Sequence, residues 1–201
     1  MKFNLPEPEL QGNMSVEEAL YRRVSRRNFH AGKLTRLQAG QLLWAAGGLG
    51  MGGAAGISRS APSAGATYPL ELYLAAGDLE DTEPGLYHYS HRDHSLGMVQ
   101  PGDLRAELAR AALGQRMVAR APVSIILVAD YASSTGRYGE RGYRYVHMEV
   151  GHVAQNIYLQ SEALNLATVA IGAFDDGAIK EILAVKGAPL LIMPMGQRMI
   201  G

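Results

Sequence analysis

The stretch of sequence that says most about the fold is Arg59-Ser60-Ala61-Pro62-Ser63-Ala64-Gly65-Ala66-Thr67-Tyr68-Pro69. It leads directly into residues 70–74, where apolar and other side chains alternate as in a β-strand. Because proline fixes φ and glycine permits close approach, such a loop can present its amides and Ser63 to a flat ring system at little ordering cost. The same composition is typical of an ordinary surface loop, so the stretch alone leaves both interpretations open.

A basic segment lies nearer the N-terminus, in Arg22-Arg23-Val24-Ser25-Arg26-Arg27. In an extended chain alternate side chains share one side, which would point Arg23, Ser25 and Arg27 the same way. Two guanidiniums and a hydroxyl on one side suit a phosphate, because arginine offers forked donors that match its oxygens. The alternative is a solvated basic end of a helix that includes residues 15–21.

Periodicity predicts one domain over residues 1–201, with helices and strands in an α+β order and no internal repeat. The longest helix is expected over residues 141–166, with Val146, Val153 and Ile157 on its apolar stripe. Other helices are expected to begin after the capping residues Ser15 and Thr35 and to cover residues 103–113 and 175–184. Strands are expected at residues 70–74, 85–89, 95–99, 123–128, 167–173 and 189–195.

Composition excludes several classes of site. The 201 residues are 47% hydrophobic, which is enough for a sizeable core, and 19 basic residues balance 19 acidic ones. Zero net charge gives no sign of a nucleic-acid or membrane partner. The absence of cysteine removes disulfides and thiolate chemistry. We expect a cytoplasmic protein, because no apolar signal region or membrane-spanning run is present.

Three weaker motifs have ordinary explanations. Residues 48–53 satisfy G-x-G-x-x-G, but they follow a predicted helix, whereas a dinucleotide-binding loop follows a strand; a mobile active-site loop is the preferred interpretation. His88, His91 and His94 straddle a strand end and a turn without a supporting set of ligands, so no metal site is predicted. No G-x-S-x-G elbow supports serine hydrolysis.

Four segments together resemble the FMN-dependent nitroreductase superfamily. They are the loop of residues 59–69, the basic segment of residues 22–27, Glu149-Val150-Gly151-His152-Val153-Ala154-Gln155-Asn156 and Ile171-Gly172-Ala173-Phe174-Asp175-Asp176. The match is strongest to its SagB-type dehydrogenase branch, and four motifs in order cover about residues 23–198. The resemblance implies a three-layer α-β-α sandwich with a mostly antiparallel central sheet. It also implies a homodimer with the long helix in its core and flavin sites at the subunit boundary.

The resemblance further implies where FMN would bind. Phosphate and ribityl contacts would come from Arg23, Ser25, Arg27 and Arg198, and the ring would be lined by Pro62, Ser63, Ala64 and Gly65. Gln155 on the long helix and the loop residues Ile171, Gly172 and Ala173 complete the implied set, with the backbone amides of Gly172 and Ala173 facing flavin N5 and O4. Such fixed donors would stabilise negative charge as hydride arrives.

The implied activity is hydride transfer from NAD(P)H to a small organic acceptor such as a nitro compound or quinone, by a ping-pong mechanism. Ala66 and Tyr68 stand where classical nitroreductases usually carry Asn and Gln. The SagB-type azoline oxidases share the Pro-Ser-Ala-Gly-Ala-x-Tyr-Pro pattern but tend to have Lys where this chain has Arg137, which is a poor general base. Tyr138 remains a candidate for proton transfer. Oxidation of an azoline or modified peptide, and flavin storage without turnover, are the alternatives.

Overall fold

The structure is a computed structural model that describes residues 1–30, 32–51 and 58–199. It contains eight strands and seven α-helices within those residues. The strands are β1 (Lys2–Asn4), β2 (Phe29–His30), β3 (Leu70–Ala76), β4 (Gly85–Ser90), β5 (Ser95–Pro101), β6 (Val123–Ala129), β7 (Leu166–Thr168) and β8 (Ala188–Arg198). The helices are α1 (Val16–Arg22), α2 (Arg36–Gly47), α3 (Arg105–Ala111), α4 (Arg116–Arg120), α5 (Tyr131–Tyr138), α6 (Arg141–Ala163) and α7 (Asp176–Leu183).

All eight strands belong to one sheet, in the order β1-β5-β4-β3-β6-β8-β2, with β7 also paired to β8. Each strand pairing is antiparallel. At the centre, β6 lies between β3 and β8, and all seven of its residues are buried. This explains the nearly continuous apolar sequence of β6, because both faces of the strand are covered.

Helices cover both faces of the sheet, and the alternation of side chains along β6 divides the core into two parts. Ile125 and Leu127 pack in a cluster with residues of α2 and α6. Ile126 and Val128, which point the other way, pack in a second cluster with residues of α3 and α7. The predicted three-layer α-β-α sandwich with a mostly antiparallel sheet is therefore confirmed.

The predicted starts of three helices are confirmed by their capping contacts. Ser15 Oγ accepts a hydrogen bond from Glu18 N at the start of α1. Thr35 and Gln38 form a complete capping box on α2, and Asp175 caps α7. After α2 the glycine-rich segment continues into residues 52–57, so the predicted loop there lies largely outside the described residues.

Several predicted boundaries were wrong, and backbone conformation gives the reason. The helix expected over residues 103–113 stops at Ala111, because Leu113 and Gly114 both have positive φ; a separate α4 follows. α6 ends at Ala163 rather than residue 166, since Asn165 adopts the left-handed conformation that ends helices. The strand expected at residues 167–173 is reduced to β7 and an isolated bridge between Ile171 and Ile192.

Three elements of the fold, β1, β2 and α5, were not predicted from the sequence. Strands of two or three residues are too short to show alternation. α5 was missed because Gly139, with φ of +55°, ends it shortly before α6 begins. A glycine at this place in the sequence indicates a loop before α6 and not a second helix. The result places α5 against the N-terminal part of α6, and this position matters for the site described below.

Candidate functional site

The first part of the site is the segment between α1 and β2, where Arg23 and Ser25 both lie against Tyr158 of α6. Ser25 Oγ is 2.8 Å from the Tyr158 hydroxyl oxygen, and the Arg23 guanidinium is 5.4 Å from the centre of the Tyr158 ring. The same hydroxyl accepts a hydrogen bond of 2.8 Å from Ala170 N. When Tyr158 donates its one proton to Ser25, the serine proton is free to bind an anion.

Arg26, which the sequence analysis did not select, turns towards a buried carboxylate. It forms an ion pair with Glu162 of α6, and its backbone N–H donates to Thr168 O at 2.8 Å. Arg198 Nη1 lies 3.4 Å from the second carboxylate oxygen of Glu162, whose side chain is only 2% exposed. The one sequence signal for this arrangement is an acidic residue in the last turn of a helix, where the helix dipole disfavours it unless a cation is near.

Strand pairing explains how the two ends of the chain meet here. In the β2–β8 ladder Phe29 is opposite Arg198, so the segment just before β2 lies beside the end of β8. Arg27 lies on this segment and is exposed. We call Arg23, Ser25, Arg26, Arg27 and Arg198 the arginine cluster. Arg23 and Ser25 lie against Tyr158 and Arg198 lies against Glu162, and Arg27 is known only by its place on the adjoining segment, which is not a strand.

The second part of the site is the loop of residues 59–69, which has an unusual backbone. Gly65, Ala66 and Tyr68 have φ of +58°, +54° and +44°, a conformation that residues other than glycine rarely adopt. Ser63 Oγ accepts a hydrogen bond of 2.9 Å from Tyr68 N. Pro62 is exposed at the start of this turn, and a short 3₁₀ helix covers Ala64–Ala66. Strained backbone of this kind is often found where a ligand binds.

α5 holds the tip of this loop. Arg137 Nη1 donates to Gly65 O at 2.9 Å, and a Cβ atom at Gly65 would lie 2.2 Å from the hydroxyl oxygen of Tyr138. Only glycine leaves room for both side chains. Tyr138, the predicted candidate for proton transfer, therefore lies directly against the loop that is expected to line the flavin ring.

Glu149 of α6 contributes a buried carboxylate next to the loop, and it was not predicted from the sequence as a site residue. Glu149 is 5% exposed, and burial raises the pKa of its carboxyl group, against the opposing effects of a hydrogen bond with Ser63 and the nearby charge of Arg59. The Arg59 guanidinium stacks 4.5 Å from the centre of the Tyr68 ring, and its Nη2 is 3.1 Å from His91 Nε2. These contacts fix the base of the loop.

Two amide side chains lie further along α6. Asn156 Nδ2 donates to Ala45 O at 3.0 Å and to Ser60 O at 3.2 Å, and so ties α2 and the loop to α6. Gln155, predicted to contact the cofactor, is partly exposed and stands one turn before Tyr158. It therefore lies on α6 between the loop of residues 59–69 and the arginine cluster.

The third part of the site is the segment after β7. Ile171 exchanges two hydrogen bonds of 2.9 Å with Ile192, which fixes the segment to the sheet. Gly172 and Ala173 are exposed, and within the described part of the chain neither backbone N–H has an acceptor. Ala173 O accepts from Gln115 Nε2 at 2.9 Å. The neighbouring Ala170 N binds Tyr158, so this segment adjoins the arginine cluster.

The histidines and the helices of the described residues also bear on metal sites and membrane spans. Among the described residues, no group of three or more histidine or acidic side chains could hold a metal ion. His88 instead binds Glu71 at 2.6 Å, and His94 binds Tyr89 at 2.9 Å. In the same residues, every helix is too short or too polar to cross a membrane.

Comparison with known proteins gives a consistent result. The Nitroreductase family model matches residues 20–197. A protein of Methanocaldococcus jannaschii, whose name places it among the nitroreductases, is 43% identical over 198 residues, which cover 98% of this chain and 97% of that protein. The microcin B17-processing protein of Escherichia coli is 24% identical over 149 residues, which cover 70% of this chain and 54% of that protein.

The same fold occurs in the crystal structure of a protein from Ralstonia eutropha described as a nitroreductase. The TM-score is 0.84 and the sequence identity 27%, and the match covers 100% of this chain and 90% of that one. The predicted resemblance to this superfamily, including relatives of the SagB type, is confirmed. With a family model that spans most of its length and a relative of nearly equal length, the chain belongs to the nitroreductase family of oxidoreductases.

Proposed function

We propose that this chain is an FMN-dependent oxidoreductase that transfers hydride from NAD(P)H to a small organic acceptor, such as a nitro compound or a quinone, by a ping-pong mechanism. The observation that carries the proposal is the convergence of Arg23, Ser25 and Arg198 around Tyr158 and Glu162, next to the free amides of Gly172 and Ala173. Family membership supports the oxidoreductase chemistry.

The donor set of the arginine cluster fits the terminal phosphate of FMN. Arg23, Arg27 and Arg198 supply guanidinium groups and Ser25 supplies a hydroxyl, which together match a dianion. Pro62, Ser63, Ala64 and Gly65 would lie along the flavin ring, where the strained backbone of the loop is already fixed by Arg137 and Glu149. Gln155 and Ile171 would complete the pocket between the phosphate and the ring.

When bound, the flavin supplies the redox chemistry, taking a hydride from the donor and passing it to the acceptor in separate half-reactions. The protein then needs to bind, orient and stabilise charge. Gly172 N and Ala173 N can donate to negative charge that develops on the ring, at no cost in reorganisation. The Tyr138 hydroxyl, held at the tip of the loop, can hold a proton for the reduced acceptor.

We also propose that the chain acts as a homodimer of single domains, with α6 in the dimer core. Met148, Gly151 and His152 lie exposed along one side of α6, and a Cβ atom built on Gly151 would meet no atom within 4 Å in the single chain. Such a face allows a second helix to approach closely. In the proposed dimer the flavin sites lie at the subunit boundary.

A second candidate function is dehydrogenation of an azoline or modified peptide, as in the SagB-type branch. The motif of residues 62–69 and the similarity to the microcin B17-processing protein favour it. Arg137 argues against it, because a guanidinium is a poor general base and this one already donates to Gly65 O. A flavin-binding protein without turnover is the third candidate.

One series of measurements separates these functions. The purified protein should be yellow and should release FMN, not FAD, on denaturation. Anaerobic NAD(P)H should bleach the flavin, and a nitroaromatic compound or quinone should restore its colour. No bleaching by NAD(P)H would favour either a dehydrogenase, whose flavin is reduced by the azoline that it oxidises, or a storage protein. Bleaching by an azoline-containing peptide would then separate these two. A colourless protein that takes up no FMN would refute the proposal.

The contribution of the arginine cluster can be measured with Arg27→Ala. Loss of a charge-assisted hydrogen bond should weaken FMN binding by about 1.5–3 kcal/mol. Arg110→Ala is the matched control, since Arg110 is an exposed arginine on α3, on the opposite face of the sheet. Equal affinities for the two variants in a fluorescence-quenching titration would remove Arg27 from the site.

A further inference from the structure

Glu162 is the least expected charged group near the arginine cluster. It lies in the last turn of α6 and is 2% exposed, yet each of its carboxylate oxygens meets a different guanidinium, one from Arg26 and one from Arg198. Arg26 and Arg198 are 172 positions apart in the sequence, so Glu162 joins two distant segments. A buried carboxylate is costly unless its partners are well placed, so this arrangement specifies where both arginines lie.

The two arginines are used differently. Arg26 also donates to Arg22 O at 3.3 Å and to Val24 O at 3.4 Å, so its donors are directed to protein groups. The Arg198 side chain is 30% exposed, and among the described residues it makes one hydrogen bond, of 3.4 Å, with Glu162. A guanidinium has five N–H donors, and most of those on Arg198 are therefore left for another acceptor.

Resting on the proposed function, we propose that Glu162 is a positioning residue for the cofactor phosphate. It holds Arg198 directly, and through Arg26 it holds the segment that carries Arg23, Ser25 and Arg27. The hydrogen bond from Arg26 N to Thr168 O also fixes the backbone of that segment to β7. The phosphate then meets donors that are already in place, and less side-chain entropy is lost on binding.

The charge of Glu162 makes this proposal testable, because positioning and simple electrostatics predict opposite results. A carboxylate beside a dianion is repulsive, so charge alone predicts that Glu162→Gln strengthens FMN binding. Positioning predicts weaker binding, since the glutamine NH₂ group cannot accept from a guanidinium and one arginine loses its anchor.

The measurement is the ratio of the dissociation constants for riboflavin and FMN, obtained by fluorescence quenching with the full chain. Riboflavin lacks the phosphate, so the ratio isolates the contribution of the phosphate from effects on the ring pocket or on folding. We expect Glu162→Gln to lower the preference for FMN by about tenfold or more, the size of a lost charge-assisted contact. A preference that is unchanged or larger would overturn the proposal.

A second variant covers the case in which Glu162→Gln does not fold. Glu162→Asp keeps the charge but shortens the side chain by one methylene, so it cannot reach both arginines; it too should lower the preference for FMN, whereas charge alone predicts no change. Glu18→Gln is the control, because it removes one exposed negative charge from the Arg22 pair on nearby α1 and should not lower the preference. A wild-type protein that binds riboflavin as tightly as FMN would instead refute the proposed phosphate site.

Discussion

Gly142→Ala should destabilise the protein, whereas Gly136→Ala should stabilise it. A Cβ atom on Gly142, at the start of α6, would lie 2.7 Å from Thr135 N and 2.8 Å from Ser134 C, which are backbone atoms of α5. A Cβ atom on Gly136, within α5 itself, would meet no atom within 4 Å. Both substitutions add one methyl group to a helical glycine. Only the one at Gly142 requires α5 and α6 to move apart.

The expected magnitudes follow from two opposing effects. Replacing a helical glycine by alanine gains about 0.5–1 kcal/mol, and this gain applies to both variants. Overpacking against a backbone that cannot rotate away costs about 1–3 kcal/mol, and this cost applies only to Gly142→Ala. The helix contribution cancels in the comparison, so the free energies of unfolding of the two variants should differ by about 1–3 kcal/mol.

Urea denaturation followed by circular dichroism measures this difference. Because α5 carries Arg137 and Tyr138, which hold the loop tip at Gly65, Gly142→Ala should also slow turnover, and Gly136→Ala should not. Equal stability of the two variants would show that α5 and α6 adjust freely to the added methyl group. The close packing of the two helices would then not be what positions Tyr138.

Three further predictions concern other parts of the site. Burial raises the pKa of Glu149, so the stability contributed by its protonated form is present below the ordinary pKa of glutamate and is lost as pH rises through the raised pKa. Glu149→Gln should therefore gain stability relative to wild type as pH rises above the ordinary pKa of glutamate, as measured by urea denaturation. Gly151→Glu should leave a monomer folded but should break the proposed dimer and release flavin, as measured by light scattering and absorbance. Gly172→Pro removes a free N–H and should slow flavin reduction by about 10²- to 10³-fold in single-turnover kinetics, with a smaller effect on FMN affinity.

Much of the fold could be predicted because local patterns and tertiary packing agree. β6 is apolar throughout and lies at the centre of the sheet, and Thr35 and Gln38 form the capping box that starts α2. The end of α6 could have been predicted from Asn165, because asparagine is second only to glycine in the left-handed position that follows a helix.

The candidate site was less predictable, because its contacts join residues far apart in sequence. The segment of residues 22–27 shows four arginines, and no local rule distinguishes Arg26, which meets Glu162, from Arg23, which lies against Tyr158. Alternation grouped Arg23, Ser25 and Arg27; Arg23 and Ser25 do lie against the same Tyr158 side chain, although the segment is not a strand. Glu149 and Glu162 were missed because a sequence does not show which carboxylates of a long helix become buried.

The positions of these missed residues explain how one helix organises the whole site. Glu149, Asn156, Tyr158 and Glu162 span fourteen residues of α6, or about 20 Å at a rise of 1.5 Å per residue. Glu149 lies near Ser63 of the loop, and the other three contact the backbone of Ser60, the hydroxyl of Ser25 and the guanidinium of Arg198 in turn. None of these four α6 side chains need act on a substrate, because the proposed cofactor supplies the chemistry. Substitutions of these four α6 side chains should therefore alter the affinity and orientation of the flavin before they alter the intrinsic reactivity of the site.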